Sequence, residues 1–336
     1  MRREATLDLW RMLHNLAGEL KELEPWKDLW DLDLIGIQEN GKDEPVFVSV
    51  LGKNDECKGL VFYEGTAGLA EFQRIAEREG TAVSMEYLMG DQQSIVLNWG
   101  ERVEVPAEQK EIIKELGLKY HGKGNWPYVL SYRPRFAAWS PDEAELRMLV
   151  ETMIQLIEAV KAMREERVKI AFEEGEFCFR YFDGEQLNWM TAPAKLPYVE
   201  IQYPELEIND ELFLRRLKNQ PKNENVIAVD TVYLHGELQN EYFERPVNPL
   251  MMLALDGETG TVLATELIHP EDDECGQVAA FLIDYVESMG RPECILARNP
   301  KLLAGLSHIC AELDINLETS YLLEIDAIVE EMMKDL

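Results

Sequence analysis

Apolar residues recur along this chain with two periods, and the switches between those periods mark its elements. Leu7, Trp10, Leu13, Leu16, Ala17 and Leu20 keep helical spacing, with Thr6 as a cap and Pro25 as the stop. The runs at 34–38, 46–51 and 60–63 read as an antiparallel meander, separated by Asn40-Gly41 and by the polar stretch Lys53-Asn54-Asp55-Glu56. A helix is expected over 69–79, a strand pair over 84–89 and 93–99, and a second helix from Pro106 to Gly117. Ser140-Pro141-Asp142-Glu143 reads as a capping box. The long helix it starts carries Leu146, Leu149, Val150, Met153, Leu156, Ile157, Val160 and Met163 along one stripe. Residues 168–172, 177–182, 187–190 and 198–203 are the further strand candidates, with Asp183-Gly184 as a hairpin turn.

Between Pro204 and Glu224 the chain turns polar, and beyond it the pattern changes. Residues 226–234 are apolar on both faces apart from Asp230, which is the pattern of a buried central strand. Strands over 250–255 and 261–268 follow around the turn Asp256-Gly257-Glu258-Thr259-Gly260. Then come a helix over 273–289 that stops at Gly290, a strand over 294–297, a helix over 301–313, a strand over 316–319 and a closing helix over 324–334. The 336 residues are a two-domain length, and the pattern divides them into an α+β domain over 1–205 and an α/β domain over 206–336.

Three strands in a meander followed by helix, strand, helix, strand, helix resembles the ribonuclease H-like fold of retroviral-type integrases and many transposases. The resemblance covers 226–336 and implies a mixed five-stranded sheet. In that family the first strand carries a catalytic Asp, which Asp230 matches, and a second acid follows the fourth strand. Here that place reads Ala297-Arg298-Asn299-Pro300, so the fold is matched by a degenerate site. The third acid lies on a late helix, where Glu324, Asp326 and Glu330 are available. If the site were complete it would be a metal-dependent nuclease or phosphotransferase using Asp230 with those late acids and magnesium or manganese. An Arg at the second position repels metal, and the leading expectation is therefore no cofactor and a binding or regulatory protein. The whole chain also resembles an uncharacterised bacterial family of two-domain acidic proteins, on Tyr63-Glu64-Gly65 and Trp139-Ser140-Pro141.

Charge sharpens that choice. Acids outnumber bases 64 to 33, a formal net of −31, and 206–336 alone holds 26 acidic against 9 basic residues. Nucleic acid binding draws its affinity from Lys and Arg on phosphates, so this balance argues against it. The partner classes left are another protein or a small anionic ligand, and the sequence does not define an oligomeric state. For the anion, the arginines among aromatics between Trp126 and Trp139 are the candidates, namely Arg133, Arg135 and Trp139. Glu64-Gly65-Thr66-Ala67-Gly68 before a helix could offer backbone N–H groups to a phosphate, although a plain tight turn explains it as well.

Other chemistry is faint. Five scattered cysteines, Cys57, Cys178, Cys275, Cys294 and Cys310, fit reduced thiols in a cytoplasmic protein. His308-Ile309-Cys310 has no second pair at zinc spacing, and no metal ligands are assigned. The acids Glu271-Asp272-Asp273-Glu274 stand where a helix begins, and their favourable interaction with its dipole is reason enough for them. No apolar run reaches the roughly 20 residues that cross a bilayer, and the N-terminus runs into an amphipathic segment rather than a signal sequence.

Overall fold

The computed structural model describes residues 2–77, 81–234, 236–239 and 242–334. In chain order the elements are α1 (Leu7–Leu23), β1 (Ile35–Gln38), β2 (Val46–Leu51), β3 (Gly59–Glu64), α2 (Gly65–Ala76), α3 (Met85–Gly90), β4 (Ser94–Gly100), α4 (Ala107–Glu115), β5 (Trp126–Arg133), β6 (Phe136–Trp139) and α5 (Glu143–Arg164). They continue as β7 (Glu176–Asp183), β8 (Asn188–Lys195), α6 (Glu211–Lys218), β9 (Val226–Tyr233), β10 (Leu250–Asp256), β11 (Val262–Ile268), α7 (Glu274–Met289), β12 (Cys294–Ala297), α8 (Pro300–Leu313), β13 (Asn316–Thr319) and α9 (Leu323–Lys334). Two units result. One holds Met1–Ala76, Gln92–Arg133 and Ala138–Glu200, the other Glu77–Asp91, Pro134–Ala137 and Ile201–Leu336. Two short segments from early in the sequence thus belong to the second unit.

The N-terminal unit is built on an eight-stranded sheet of order β6-β5-β4-β3-β2-β1-β7-β8. Neighbouring strands are antiparallel from β1 to β5 and from β7 to β8, and β1 runs parallel to β7. Strand alternation sends Ile35, Ile37, Val48, Val50, Leu60 and Phe62 to one face, where the apolar stripes of α1 and α5 cover them. Phe47, Val61, Tyr63 and Phe177 point the other way, onto Leu69 and Phe72 of α2.

The C-terminal unit is built on the mixed five-stranded sheet of order β11-β10-β9-β12-β13. β9, β10 and β11 are antiparallel, while β12 and β13 run parallel to β9. Ile227 and Val229 face α7 and α8, and Ala228 and Val232 face Ile325, Ile328 and Val329 of α9.

Several local expectations give way to tertiary contacts. Residues 84–89 are not a strand but the helix α3, capped by Ser84, whose hydroxyl accepts from Tyr87 N at 3.2 Å. The long helix is capped two residues later than the pattern suggests. Asp142 accepts from Glu145 N at 2.9 Å and Glu145 accepts from Asp142 N at 2.8 Å, while the Ser140 hydroxyl is buried and engaged by Gln109. Residues 168–172 and 198–203 form no strand. α2 begins directly at Gly65 rather than at residue 69, and its expected end at 79 lies outside the described residues.

Candidate functional site

The parallel pairing of β9 and β12 sets Leu296 opposite Ala228, so two residues on, Arg298 leaves β12 level with Asp230. A period of two puts both on the α9 side of the sheet, with Ala228, Val232 and Leu296. There Arg298 Nε donates to Asp230 Oδ2 at 2.5 Å, and both side chains are 4% exposed. Its other two nitrogens meet Asp326 of α9, Nη2 to Oδ1 at 2.7 Å and Nη1 to Oδ2 at 3.1 Å, and Nη1 also donates to Tyr321 O at 3.2 Å. Four of the five N–H groups of the planar fork thus meet two carboxylates and a carbonyl. Burial pushes the Asp230 carboxyl up to about 6 against the downward pull of the guanidinium. Burial would lower Arg298, but the hydrogen bonds and charges of Asp326 and Asp230 outweigh it and hold the guanidinium above its ordinary range.

Asp230's neighbour Thr231 points to the opposite face, where a second polar cluster forms around Glu274 at the start of α7. Glu274 is 1% exposed. It accepts from the hydroxyls of Thr231 and Tyr87, the latter at 2.9 Å, and from Lys301 Nζ of α8 at 2.9 Å. Burial is the largest single effect on Lys301 and would lower it, but the charge and hydrogen bond of Glu274, joined by the charge of Asp91, together hold it above its ordinary range. Gly90 at the end of α3 lies against the ring of Tyr233, with no room for a Cβ. Tyr233 in turn reaches Asp91 with its hydroxyl, 3.3 Å from Oδ1.

Beside the Arg298 cluster, at the C-terminal ends of β9 and β12, opens a cavity of about 550 Å³. Val232 and Tyr233 of β9, Arg298, and Asp326, Val329 and Glu330 of α9 contribute to its walls.

Of the four acids singled out in the sequence, Asp230 and Asp326 come together on one guanidinium, Glu330 lines the cavity, and Glu324 is exposed outside it. The three anion-site candidates are not gathered in one place. Arg133 pairs with Glu145 at 2.7 Å and Asp142 at 3.5 Å, at the cap of α5. Arg135 is buried in the other unit and donates to the carbonyls of Ile268 and His269 at 3.1 and 2.8 Å. Trp139 is half-buried on β6. At the glycine turn, the α2 N-terminus already holds an anion, because Thr66 donates its N–H and hydroxyl to the Glu44 carboxylate. Among the described residues no three His, Cys, Asp or Glu side chains converge as metal ligands. Tyr87, Glu274 and Lys301 were not foreseen as a cluster. The only local signal for Glu274 was its place in the acidic run, where Asp273 is the residue that caps α7.

The chain belongs to a family described as a domain of unknown function, DUF7309, whose model matches residues 10–180. A second family model, likewise a domain of unknown function (DUF6930), matches residues 213–333. No curated protein matches the chain. One solved structure that is similar in part is a cryoEM structure of the simian T-cell lymphotropic virus intasome in complex with PP2A regulatory subunit B56 gamma. The identity is 14%, the match covers 35% of this chain and 42% of that one, and the TM-score is 0.24. The chain therefore spans less than half the length of the chain it matches.

Proposed function

We propose that this member of the DUF7309 family is a cytoplasmic binding or regulatory protein without catalytic activity, whose C-terminal unit is a degenerate ribonuclease H-like domain. The fold reading is supported by the order β11-β10-β9-β12-β13, an antiparallel meander extended by two parallel strands that alternate with helices. The functional reading is carried by Arg298. A two-metal site needs carboxylates turned toward cations about 3.5–4 Å apart. Here the strand acid and the helix acid are turned toward a guanidinium that is itself a fixed cation. A divalent ion would have to break this ion pair and then face the freed positive charge. Four buried cysteines and an exposed Cys57, all free thiols, support a reducing compartment.

The test is a thermal-shift titration with Mg²⁺ and Mn²⁺ on the full chain. The expected result is no stabilisation. Metal at a hundred times its dissociation constant would add about 2.7 kcal/mol, roughly 5 to 10 °C for a domain of this size. A rise of that order, abolished by Asp230→Asn and accompanied by nuclease activity, would overturn the proposal in favour of an enzyme using Asp230 and Asp326.

A further inference from the structure

We propose that the cavity at the C-terminal ends of β9 and β12 binds a small amphipathic cation, an amine or guanidinium carried on an apolar body. The inference rests on reading this site as one for binding, and it names the ligand class. Position is the first argument. β9 leads away into β10 while β12 leads into α8, so the crevice lies outside the carboxyl ends of adjacent parallel strands whose connections part, which is where open α/β sheets place ligands. Its volume of about 550 Å³ suits a small molecule.

The lining then selects the chemistry. Val232, Leu323, Val329 and Met333 give an apolar wall. Tyr321 and Leu323 at the cavity are 63% and 70% exposed, apolar surface left open to solvent. An apolar body covering that wall would remove it from water.

Charge decides the head group. Arg298 lines the cavity, but its positive charge is already answered by two carboxylates, and four of its five N–H groups are taken. Asp326 spends one edge on that fork and remains 41% exposed. Glu86 and Glu330 add two carboxylates that take part in no ion pair among the described residues, against one lysine, Lys334. The field inside is negative, and a net charge of −31 on the chain reinforces it. An anion would meet these acids without a free arginine to receive it, whereas an ammonium or guanidinium group would find carboxylates at the rim and rings and methyls below.

The experiment compares two probes with one body and opposite charge, 4-phenylbutylamine and 4-phenylbutyrate, by isothermal titration of the full chain at low salt. The amine is expected to bind saturably at one site and the carboxylate not to bind. Glu86→Gln and Glu330→Gln, both surface changes checked by circular dichroism, should each weaken the amine about two- to fivefold. Equal or tighter binding of 4-phenylbutyrate overturns the proposal. So does an amine affinity unchanged in both variants, or the lack of saturable amine binding at millimolar concentration. A Mn²⁺ titration run alongside separates the two readings. Stabilisation by Mn²⁺ lost in Asp230→Asn would remove the non-catalytic reading whatever the amine does, and failure of the amine alone would leave that reading in place.

Discussion

The two units differ in their most buried ionisable side chains: buried carboxylates paired with cations stand on both faces of β9 in one, and the N-terminal unit holds a buried arginine and a buried histidine on neutral partners. In the N-terminal unit the buried Gln109 and Arg180 side chains meet neutral partners. Gln109 donates to Val129 O and Ser140 Oγ, and Arg180 to Gln155 Oε1 and Thr191 Oγ1. His14 lies 3.1 Å from the Tyr120 hydroxyl through Nδ1, while its Nε2 has no hydrogen-bond partner. In the C-terminal unit two buried carboxylates are answered by cations, Asp230 by Arg298 and Glu274 by Lys301, on the two faces of β9, while buried Arg135 meets only carbonyls. Neutral polar groups can be embedded wherever a carbonyl or hydroxyl is near. Buried charges need a partner placed to within a hydrogen bond, which the register of β9 with β12 supplies for Asp230 and Arg298 and the starts of α7 and α8 supply for Glu274 and Lys301.

Removing one partner of the most buried pair should have the largest effect. Arg298→Met leaves Asp230 uncompensated and is expected to cost about 3–5 kcal/mol in urea unfolding. The double change Arg298→Met with Asp230→Leu should recover most of it, because both charges are then gone. Arg180→Met, which strands only neutral acceptors, should cost less, about 1–2 kcal/mol. An equal loss at the two arginines would break the comparison.

The pH dependence sharpens it, since the two regions should slope in opposite directions. Burial pushes the His14 imidazole down from 6.5 to about 4. Between those values the unfolded chain binds the proton and the folded one does not, so this contribution is complete above pH 6.5 and is lost as the pH falls toward 4. The total is on the order of 3 kcal/mol. All seven tryptophans lie in the N-terminal unit, so fluorescence-detected unfolding reads it, and His14→Phe should flatten the profile. Asp230, raised from 3.8 to about 6, binds a proton more readily when folded. Its contribution favours the fold at low pH and is lost as the pH rises from about 4 to 6. Asp230→Asn should remove a slope of that sign, and a difference profile sloping the same way as that of His14 would count against a desolvated carboxylate.

On the second face of β9 a smaller loss is expected. Glu274→Gln keeps an acceptor for Tyr87 and Thr231 but takes the counter-charge from Lys301, which can still turn toward water, so the cost should be about 1–2 kcal/mol. Lys301→Met leaves a buried carboxylate instead and should cost more. The reverse order would show that Lys301, rather than Glu274, is the group held in place by the other.

These features differ in how far the sequence exposes them. The meander β1–β3 and the strands β9 to β12 were legible, because each apolar run is long enough for its period and is bounded by a turn. Asp230 stood out as the one carboxylate in such a run. What picks Asp326 over Glu324 and Glu330 is the docking of α9 against Arg298, which no local pattern encodes. Glu274 was hidden for the opposite reason, since its neighbours Asp272 and Asp273 have ordinary helix-start roles and nothing within the run marks the buried member. Residues 84–89 read as a strand because Tyr87 and Leu88 are apolar at a turn, yet Tyr87 is buried beside Glu274 and Tyr233, and a helix presents it there. The Ser140 cap failed through competition, its hydroxyl being taken by Gln109.

That competition yields the last and smallest prediction, on the neutral side of the comparison. Helix α5 has two residues with cap chemistry at its start, and only one of them caps it. Asp142 accepts from Glu145 N at 2.9 Å, and Glu145 also receives Arg133 at 2.7 Å. Asp142→Ala should therefore cost about 1 kcal/mol, the ordinary worth of a cap. Arg133→Ala, an exposed pair 46% open to solvent, should cost less than that. Ser140→Ala should act elsewhere, leaving the helix start intact and releasing one of the two partners of the Gln109 side-chain amide between α4 and β5. Amide exchange separates these outcomes residue by residue. Loss of protection at Glu145 in Asp142→Ala and at Val129 in Ser140→Ala is the expected pattern, because Val129 N donates to Gln109 Oε1 at 3.0 Å. Exchange at Glu145 responding to Ser140 instead would restore the cap that the sequence pattern first suggests.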